Sequence, residues 1–177
     1  MGAERFVLKD GRQLVLRATA KKDYEAVQTY FEQLGQETIF TYQYPGKPRQ
    51  TKEYFEKSLA TSWGMIALDG DKVVGLIATH WAHPDHPWMK HECEFCIHML
   101  KDYCHQGLGQ KFLNMMFDWA NKNNISRIEG TVNAENRAGI GLYLKNGFVL
   151  EGVRRHATFI NNKWYDEYYI GRIAVIK

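Results

Sequence analysis

Apolar and polar residues follow two different periods along the chain, and each period predicts one kind of secondary structure. Residues 13–17 and 127–132 alternate with the two-residue period of half-buried strands. Residues 24–34 show helical spacing, and Gly35 after them is a typical helix stop. The best helix is predicted over residues 107–123, where five residues form an apolar stripe: Leu108, Phe112, Leu113, Met116 and Trp119.

Caps and turns divide the rest of the chain. Asp23 and Thr51 are favoured N-cap types and stand at the starts of two predicted helices, the second over residues 51–60. Asp69-Gly70 between two apolar runs predicts a β-hairpin. The same signals add strands over residues 92–100, 148–152 and 163–173, and a helix over residues 136–145. This order indicates one α/β (α+β) domain, residues 1–177, with a mixed, mainly antiparallel central sheet flanked by helices.

Composition narrows the class of protein. The chain has 177 residues, 45% of them hydrophobic, and a net charge of +3. These values are typical of a globular domain, and the mild charge without a Lys/Arg block argues against a nucleic-acid partner. No apolar run reaches the ~20 residues of a membrane span, and the first residues lack the apolar core of a signal peptide. We therefore expect a cytoplasmic protein with no membrane partner, whose three cysteines are reduced thiols.

The segment Gly107-Leu108-Gly109 carries the first chemical signal. It follows a predicted strand and opens the best predicted helix. Glycines let a backbone approach a ligand closely, and a helix N-terminus offers unpaired N–H groups with a partial positive charge. Together these features predict a phosphate site, although a tight strand-to-helix connection would use the same glycines. Phe112 stands where the dinucleotide-binding pattern needs a third glycine, so that pattern is excluded.

A second motif follows the next predicted strand, and the two motifs together are more specific than the glycine turn alone. Its residues are Asn136, Ala138, Leu142-Tyr143, Gly147-Phe148 and Glu151-Gly152. The two motifs at this separation resemble the GNAT superfamily of acetyl-CoA-dependent N-acetyltransferases, and the resemblance covers residues 12–173. It implies that the two central strands, residues 92–100 and 127–132, splay apart to form a cleft for acetyl-CoA.

The resemblance also implies which residues bind acetyl-CoA, and we expect no metal cofactor. The pantetheine arm would pair with the backbone of residues 97–99 and hydrogen-bond to Asn136, which is otherwise a helix cap. Cys104 and His105 depart from the family's usual Arg or Gln and Gly, but backbone donors can still bind phosphate there. The implied cofactor-binding residues are Ile97, His98, Met99, Cys104, Gln106, Gly107, Leu108, Gly109, Gln110 and Asn136.

The reaction that the resemblance implies is transfer of an acetyl group to an amine. Alkyl amines are mostly protonated at neutral pH, so a base must remove a proton. Glu94 matches the family's catalytic carboxylate, and Glu92 has the same strand parity; either is otherwise a surface or ion-paired residue. Tyr143 matches the tyrosine that protonates the leaving CoA thiolate, and is otherwise a core aromatic. The acceptor is a small amine, such as an amino acid, or a protein N-terminus, and homodimers are common in the family.

Three other interpretations remain open at this point. The chain could be a non-catalytic acetyl-CoA-binding effector module, since sites and not folds carry function. Cys93-x-x-Cys96 has a zinc-ligand spacing, but residues three apart on a strand point to opposite faces and no second pair follows. Cys96 or Cys104 could act as a nucleophile with His98 or His105, yet nothing resembles a known nucleophile turn.

Overall fold

The computed structural model describes residues 2–81, 83 and 85–174 of the chain. These residues form eight strands: β1 (Glu4–Val7), β2 (Gln13–Ala18), β3 (Ser62–Asp69), β4 (Lys72–His80), β5 (Glu92–Met99), β6 (Arg127–Asn133), β7 (Val149–Ile160) and β8 (Lys163–Ile173). They also form four α-helices: α1 (Tyr24–Glu37), α2 (Lys52–Thr61), α3 (Leu108–Lys122) and α4 (Arg137–Lys145). None of the helices in this described part of the chain is long and apolar enough to cross a membrane.

The strands form a mixed sheet in the order β1-β2-β3-β4-β5-β6-β8-β7. β5 and β6 are parallel, with Glu92 opposite Arg127 and Glu94 opposite Glu129. The pairs β1–β2, β2–β3, β3–β4, β6–β8 and β7–β8 are antiparallel. The predicted mixed, mainly antiparallel sheet with flanking helices is therefore confirmed.

Two strands differ from the sequence-based expectation. β1 lies outside the predicted elements because its residues are mostly exposed and show no two-residue alternation of burial. β7 continues to Ile160, well beyond the predicted end at Gly152. Most of its residues are exposed on both faces, and its pairing with β8 is interrupted twice, so no regular hydrophobic pattern marks its length.

The two predicted N-caps have different outcomes. Thr51 caps α2 as predicted, because its hydroxyl accepts a hydrogen bond from the Tyr54 N–H at 3.2 Å. Asp23 directly precedes α1, but its carboxylate makes no capping bond to the helix. It binds the Arg17 guanidinium and the Ala20 N–H instead, which places the carboxylate in the packing between β2 and the start of α1.

Gly35 lies inside α1, so the prediction that it ends this helix is wrong. The helix continues to Glu37, and the Thr38 N–H donates to the Leu34 carbonyl at 3.2 Å. A Cβ atom at Gly35 would lie 2.9 Å from backbone atoms of Tyr44. The glycine is therefore explained by the close approach of the loop that follows α1.

Replacing Gly35 with alanine is expected to lower the free energy of unfolding by about 1–3 kcal/mol, because the new methyl group enters a packed site. The gain in helix propensity, ~1 kcal/mol, does not offset this cost. Gly141→Ala in α4 is the matched control, since a Cβ atom there would meet nothing within 4 Å, and it should stabilise the protein by about 0.5–1 kcal/mol. Urea unfolding measures both variants, and equal effects would refute the packing explanation.

The chain groups into two compact units, which are described separately. Unit 1 comprises Met1–His80 and Cys96–Phe112, and unit 2 comprises Trp81–Phe95 and Leu113–Lys177. The core of unit 1 includes Leu14, Leu16, Val27, Tyr30, Leu34, Met65, Ile66, Ile77, Leu108 and Phe112. The core of unit 2 includes Cys93, Leu113, Met116, Ile125, Ile128, Phe148 and Ile170.

Candidate active site

The glycine turn of unit 1 leads into α3. Gly107 has φ +91°, a conformation that residues with a side chain rarely adopt. The Lys111 N–H donates to the Gly107 carbonyl at 3.1 Å and begins the helical pattern. The N–H groups of Leu108 and Gly109 precede this first bond and have no acceptor within the helix, as is usual for a first turn. This end of α3 is suited to bind an anion.

The side chains around the turn leave its glycine open. The Leu108 side chain is fully buried, where it packs over Gly75, so its backbone is the part that can meet a ligand. A Cβ atom at Gly107 would meet only Phe6, at 3.7 Å. The Gln106 Oε1 atom is buried without a hydrogen-bond partner among the described residues. The open glycine therefore lets a phosphate group approach the backbone N–H groups of this turn.

The cysteines of unit 1 do not have the properties of nucleophiles. The Cys104 thiol donates to the Leu100 carbonyl at 3.7 Å, and burial raises the pKa of this thiol. Desolvation raises the pKa of Cys96 to about 11. Both thiols are thus protonated at neutral pH, whereas a nucleophilic cysteine needs a lowered pKa. Across the described residues, no group of three or more His, Cys, Asp or Glu side chains is placed to hold a metal ion.

His98 on β5 is half-buried beside two aromatic residues of α1. Its Nδ1 atom lies 3.4 Å from the Tyr30 hydroxyl, and its ring packs edge-on against Phe31, with 5.9 Å between ring centroids. Desolvation and the charge of Lys47 lower the pKa of His98 to about 4. Burial raises the pKa of Tyr30, so the phenol keeps its proton beside the imidazole. The imidazole is therefore uncharged at neutral pH, with one ring nitrogen a hydrogen-bond donor and the other an acceptor.

The lowered pKa of His98 predicts that acid destabilises the fold. An unfolded histidine has a pKa near ~6.5, so below that pH the unfolded chain binds a proton that folded His98 does not. The free energy of unfolding should therefore fall as the pH drops from ~6.5 toward the His98 pKa of about 4. His98→Gln should remove this part of the slope in urea unfolding across the same pH range. A slope equal to that of the wild type would refute the assignment.

Tyr143 lies in the last turns of α4, in the core of unit 2. It is 8% exposed, and its ring packs edge-on against Phe95 of β5 and at a tilt against Phe148, at centroid distances of 5.5 and 5.7 Å. A Cβ atom at Gly130 would lie 3.2 Å from the Phe95 ring. The missing side chain on β6 therefore makes room for Phe95, which in turn fixes the ring of Tyr143.

The other two predicted site residues of unit 2 lie at the starts of α4 and β5. Asn136 is the N-cap of α4, and its Oδ1 atom accepts from the Gly139 N–H at 3.0 Å. The structure thus gives Asn136 a helix-capping role, while its contact with pantetheine stays a prediction. Glu94 is half-buried on β5 in register with Glu129, and the parallel pairing with β6 covers Glu92 to Glu94.

The predicted residues are distributed over both units. Unit 1 holds Ile97, His98, Met99, Cys104, Gln106, Gly107, Leu108, Gly109 and Gln110, and unit 2 holds Glu94, Asn136 and Tyr143. Phe95, which packs against Tyr143, was not predicted as a site residue. The alternation of side chains along a strand would have placed it on the face of β5 opposite to Glu94. Sequence reasoning also missed Tyr30 and Lys47, which belong to no motif and gave no signal.

Comparisons with known proteins bear on the family of this chain. A family model described as an acetyltransferase (GNAT) domain matches residues 13–149. The L-amino acid N-acetyltransferase AaaT of Escherichia coli (strain K12) is 26% identical over 166 residues, covering 91% of this chain and 98% of that protein. A GNAT-family acetyltransferase from Streptococcus pneumoniae superposes with a TM-score of 0.82 at 26% identity, covering 90% and 98% of the two chains.

A third comparison concerns the cofactor. The structure of yncA from Salmonella typhimurium, described with its cofactor acetyl-CoA, has a TM-score of 0.76 at 14% identity, covering 90% of this chain and 93% of that one. At this identity the likeness shows the shared fold. Because the family model spans most of the chain and GNAT enzymes use acetyl-CoA, this chain belongs to the GNAT acetyltransferases and is an acetyl-CoA-dependent N-acetyltransferase.

Proposed function

We propose that this enzyme acetylates a primary amine, either on a small molecule such as an amino acid or at a protein N-terminus. The observation that carries the proposal is the open glycine turn at the start of α3, with Gly107 at φ +91°. The L-amino acid N-acetyltransferase relative supports the small-molecule class. We further propose that residues 1–177 act as one acetyltransferase domain in the cytoplasm.

The residues that bind acetyl-CoA in this proposal do so mainly through their backbone. Backbone N–H groups of residues 106–110 hold the pyrophosphate. The end of β5 pairs with the pantetheine arm as an added strand would, and Asn136 offers its amide nitrogen, because its Oδ1 already caps α4. The proposed set is Ile97, His98, Met99, Cys104, Gln106, Gly107, Leu108, Gly109, Gln110 and Asn136.

The chemistry assigned to side chains consists of two proton movements. Acetyl-CoA supplies an activated thioester. Glu94 takes a proton from the acceptor ammonium, directly or through a water, so that the nitrogen can attack the carbonyl carbon. Backbone N–H groups near Ile97 and His98 stabilise the negative charge on the carbonyl oxygen. As the C–S bond breaks, Tyr143 gives its proton to the sulfur and the attacking nitrogen loses its second proton to water. The products are an amide and a free thiol, and proton exchange with water restores Glu94 and Tyr143.

The test is thiol release from acetyl-CoA with a panel of amino acids, polyamines, other small amines and peptides with free N-termini. Release that depends on the amine supports the proposal and identifies the acceptor class. Acetyl-CoA binding is measured separately by calorimetry. If acetyl-CoA does not bind, the assignment of the glycine turn as its pyrophosphate site is wrong. If acetyl-CoA binds but no amine causes thiol release, a non-catalytic binding module is favoured over an enzyme.

A further inference from the structure

The end of β5, residues 97–99, has regular strand support on one side. Directly after the strand, the Leu100 N–H donates to the Val74 carbonyl of β4 at 2.9 Å. The ladder between β5 and β6 extends only as far as Glu94. The position of residues 97–99 therefore depends on side-chain contacts as well as on β4.

The side chains of this segment are held on both faces of the strand. Met99 lies beside Gly75 of β4, where a Cβ atom would come 3.4 Å from the Met99 Cβ. His98 lies on the opposite face, because successive side chains of a strand alternate. Its Nδ1 atom is 3.4 Å from the Tyr30 hydroxyl, and its ring packs edge-on against Phe31, with 5.9 Å between centroids. His98 therefore attaches the end of β5 to α1.

The contact between Tyr30 and His98 is both buried and specific. Tyr30 is 2% exposed, and within the described part of the chain the His98 ring is the one hydrogen-bonding partner of its hydroxyl. A hydroxyl can donate or accept, so the contact holds whichever ring nitrogen carries the proton. A buried hydroxyl without a partner is destabilising, and this keeps the two side chains together. Tyr30 thus fixes the His98 ring relative to α1.

We propose that Tyr30 is a positioning residue for the thioester, which acts through His98 on the backbone of residues 97–99. The inference rests on the proposed function, in which N–H groups near Ile97 and His98 stabilise the negative charge on the carbonyl oxygen. Such stabilisation requires donors that are already in place when the charge develops. A displacement of about 1 Å can lower a rate by up to about 100-fold. Tyr30 itself touches neither acetyl-CoA nor the acceptor.

The first test is Tyr30→Phe, which removes the hydroxyl and keeps the ring. With the preferred amine of the panel, kcat should fall by about five- to tenfold, the effect of about one hydrogen bond. The KM for acetyl-CoA should stay within about twofold of the wild-type value, because the charge on the carbonyl oxygen develops only in the transition state. Tyr30→Phe with wild-type kcat would overturn the inference and leave acetyl transfer intact.

Tyr24→Phe is the matched control on the same helix. The Tyr24 hydroxyl donates to the Gln50 carbonyl at 2.6 Å, so this variant also loses a hydrogen bond of α1, but one that does not lead to β5. It should keep the wild-type kcat. If Tyr24→Phe lowers kcat as much as Tyr30→Phe does, a general loosening of α1 explains both variants and the inference fails.

A double-mutant cycle tests whether Tyr30 acts through His98. His98→Leu should lower kcat at least as much as Tyr30→Phe, and adding Tyr30→Phe to it should lower kcat no further. Urea unfolding shows whether each variant is folded in the assay, and His98→Phe replaces His98→Leu if the latter is not. Effects that multiply in the double variant would overturn the inference. A wild-type enzyme that releases no thiol with any amine would defeat the proposed function as well.

Discussion

Tyr143→Phe is expected to lower kcat by about 100-fold or more, the usual loss when a general acid is removed. The KM for acetyl-CoA should stay near its wild-type value, because the binding contacts proposed above are made by other residues. The ring of Tyr143 packs against Phe95 and Phe148, and phenylalanine keeps both contacts. Removing a buried hydroxyl should therefore cost only about 1 kcal/mol of stability.

The control for Tyr143 is the same substitution at an exposed tyrosine. Tyr54 on α2 is 61% exposed, and Tyr54→Phe should leave kcat unchanged. Initial rates of thiol release at saturating acetyl-CoA and acceptor measure both variants. A Tyr143→Phe enzyme with wild-type kcat would show that Tyr143 is a core aromatic, and the leaving thiolate would then take its proton from elsewhere.

Asp23→Asn is expected to lower the free energy of unfolding by about 3 kcal/mol, because it breaks a buried ion pair and leaves Arg17 without its partner. Asp23 is 5% exposed and accepts two hydrogen bonds from the Arg17 guanidinium, at 2.6 and 2.7 Å, and one from the Ala20 N–H at 2.8 Å. Although burial alone would raise the pKa of Asp23, these bonds lower it. The pair therefore stays intact until the pH falls below the usual carboxyl range.

An exposed ion pair made by a residue of α1 gives the comparison for Asp23. Glu25 binds Arg49 at 2.8 Å, but its side chain is 75% exposed, so Glu25→Gln should leave the free energy of unfolding nearly unchanged. Urea unfolding at neutral pH measures both variants. If Asp23→Asn lowers the free energy of unfolding no more than Glu25→Gln does, burial does not make the Asp23–Arg17 pair more stabilising than the exposed pair, and the prediction is wrong.

The elements that the sequence predicted well are those in which burial and local chemistry agree. The α3 stripe from Leu108 to Trp119 is buried as predicted, and Gly70 adopts φ +58° in the predicted hairpin turn. Where the role of a residue depends on a contact with a residue distant in the sequence, the local sequence pattern gave a wrong prediction. Glycine is a residue type that often ends a helix, but Gly35 lies inside α1, where a larger side chain would collide with the backbone of Tyr44. Nothing in the local sequence indicates that contact.

The same distinction applies to the candidate site. The glycine turn and Tyr143 stand in motifs with fixed spacing, so they were predicted, and their roles remain proposals. Tyr30 and His98 are 68 residues apart, and their contact depends on how α1 packs on β5. Such a pair follows from tertiary packing, which a single sequence without a motif does not reveal.

Acetyl transfer itself is tested most directly by counting both products in one reaction. Free thiol and acetylated amine are measured together, by absorbance and mass spectrometry, after acetyl-CoA is mixed with the enzyme and each amine of the panel. Equal amounts of the two products are expected, and both should be strongly reduced with Tyr143→Phe. Thiol released without any acetylated amine, or neither product with any amine, would contradict the assignment of this site to N-acetyl transfer.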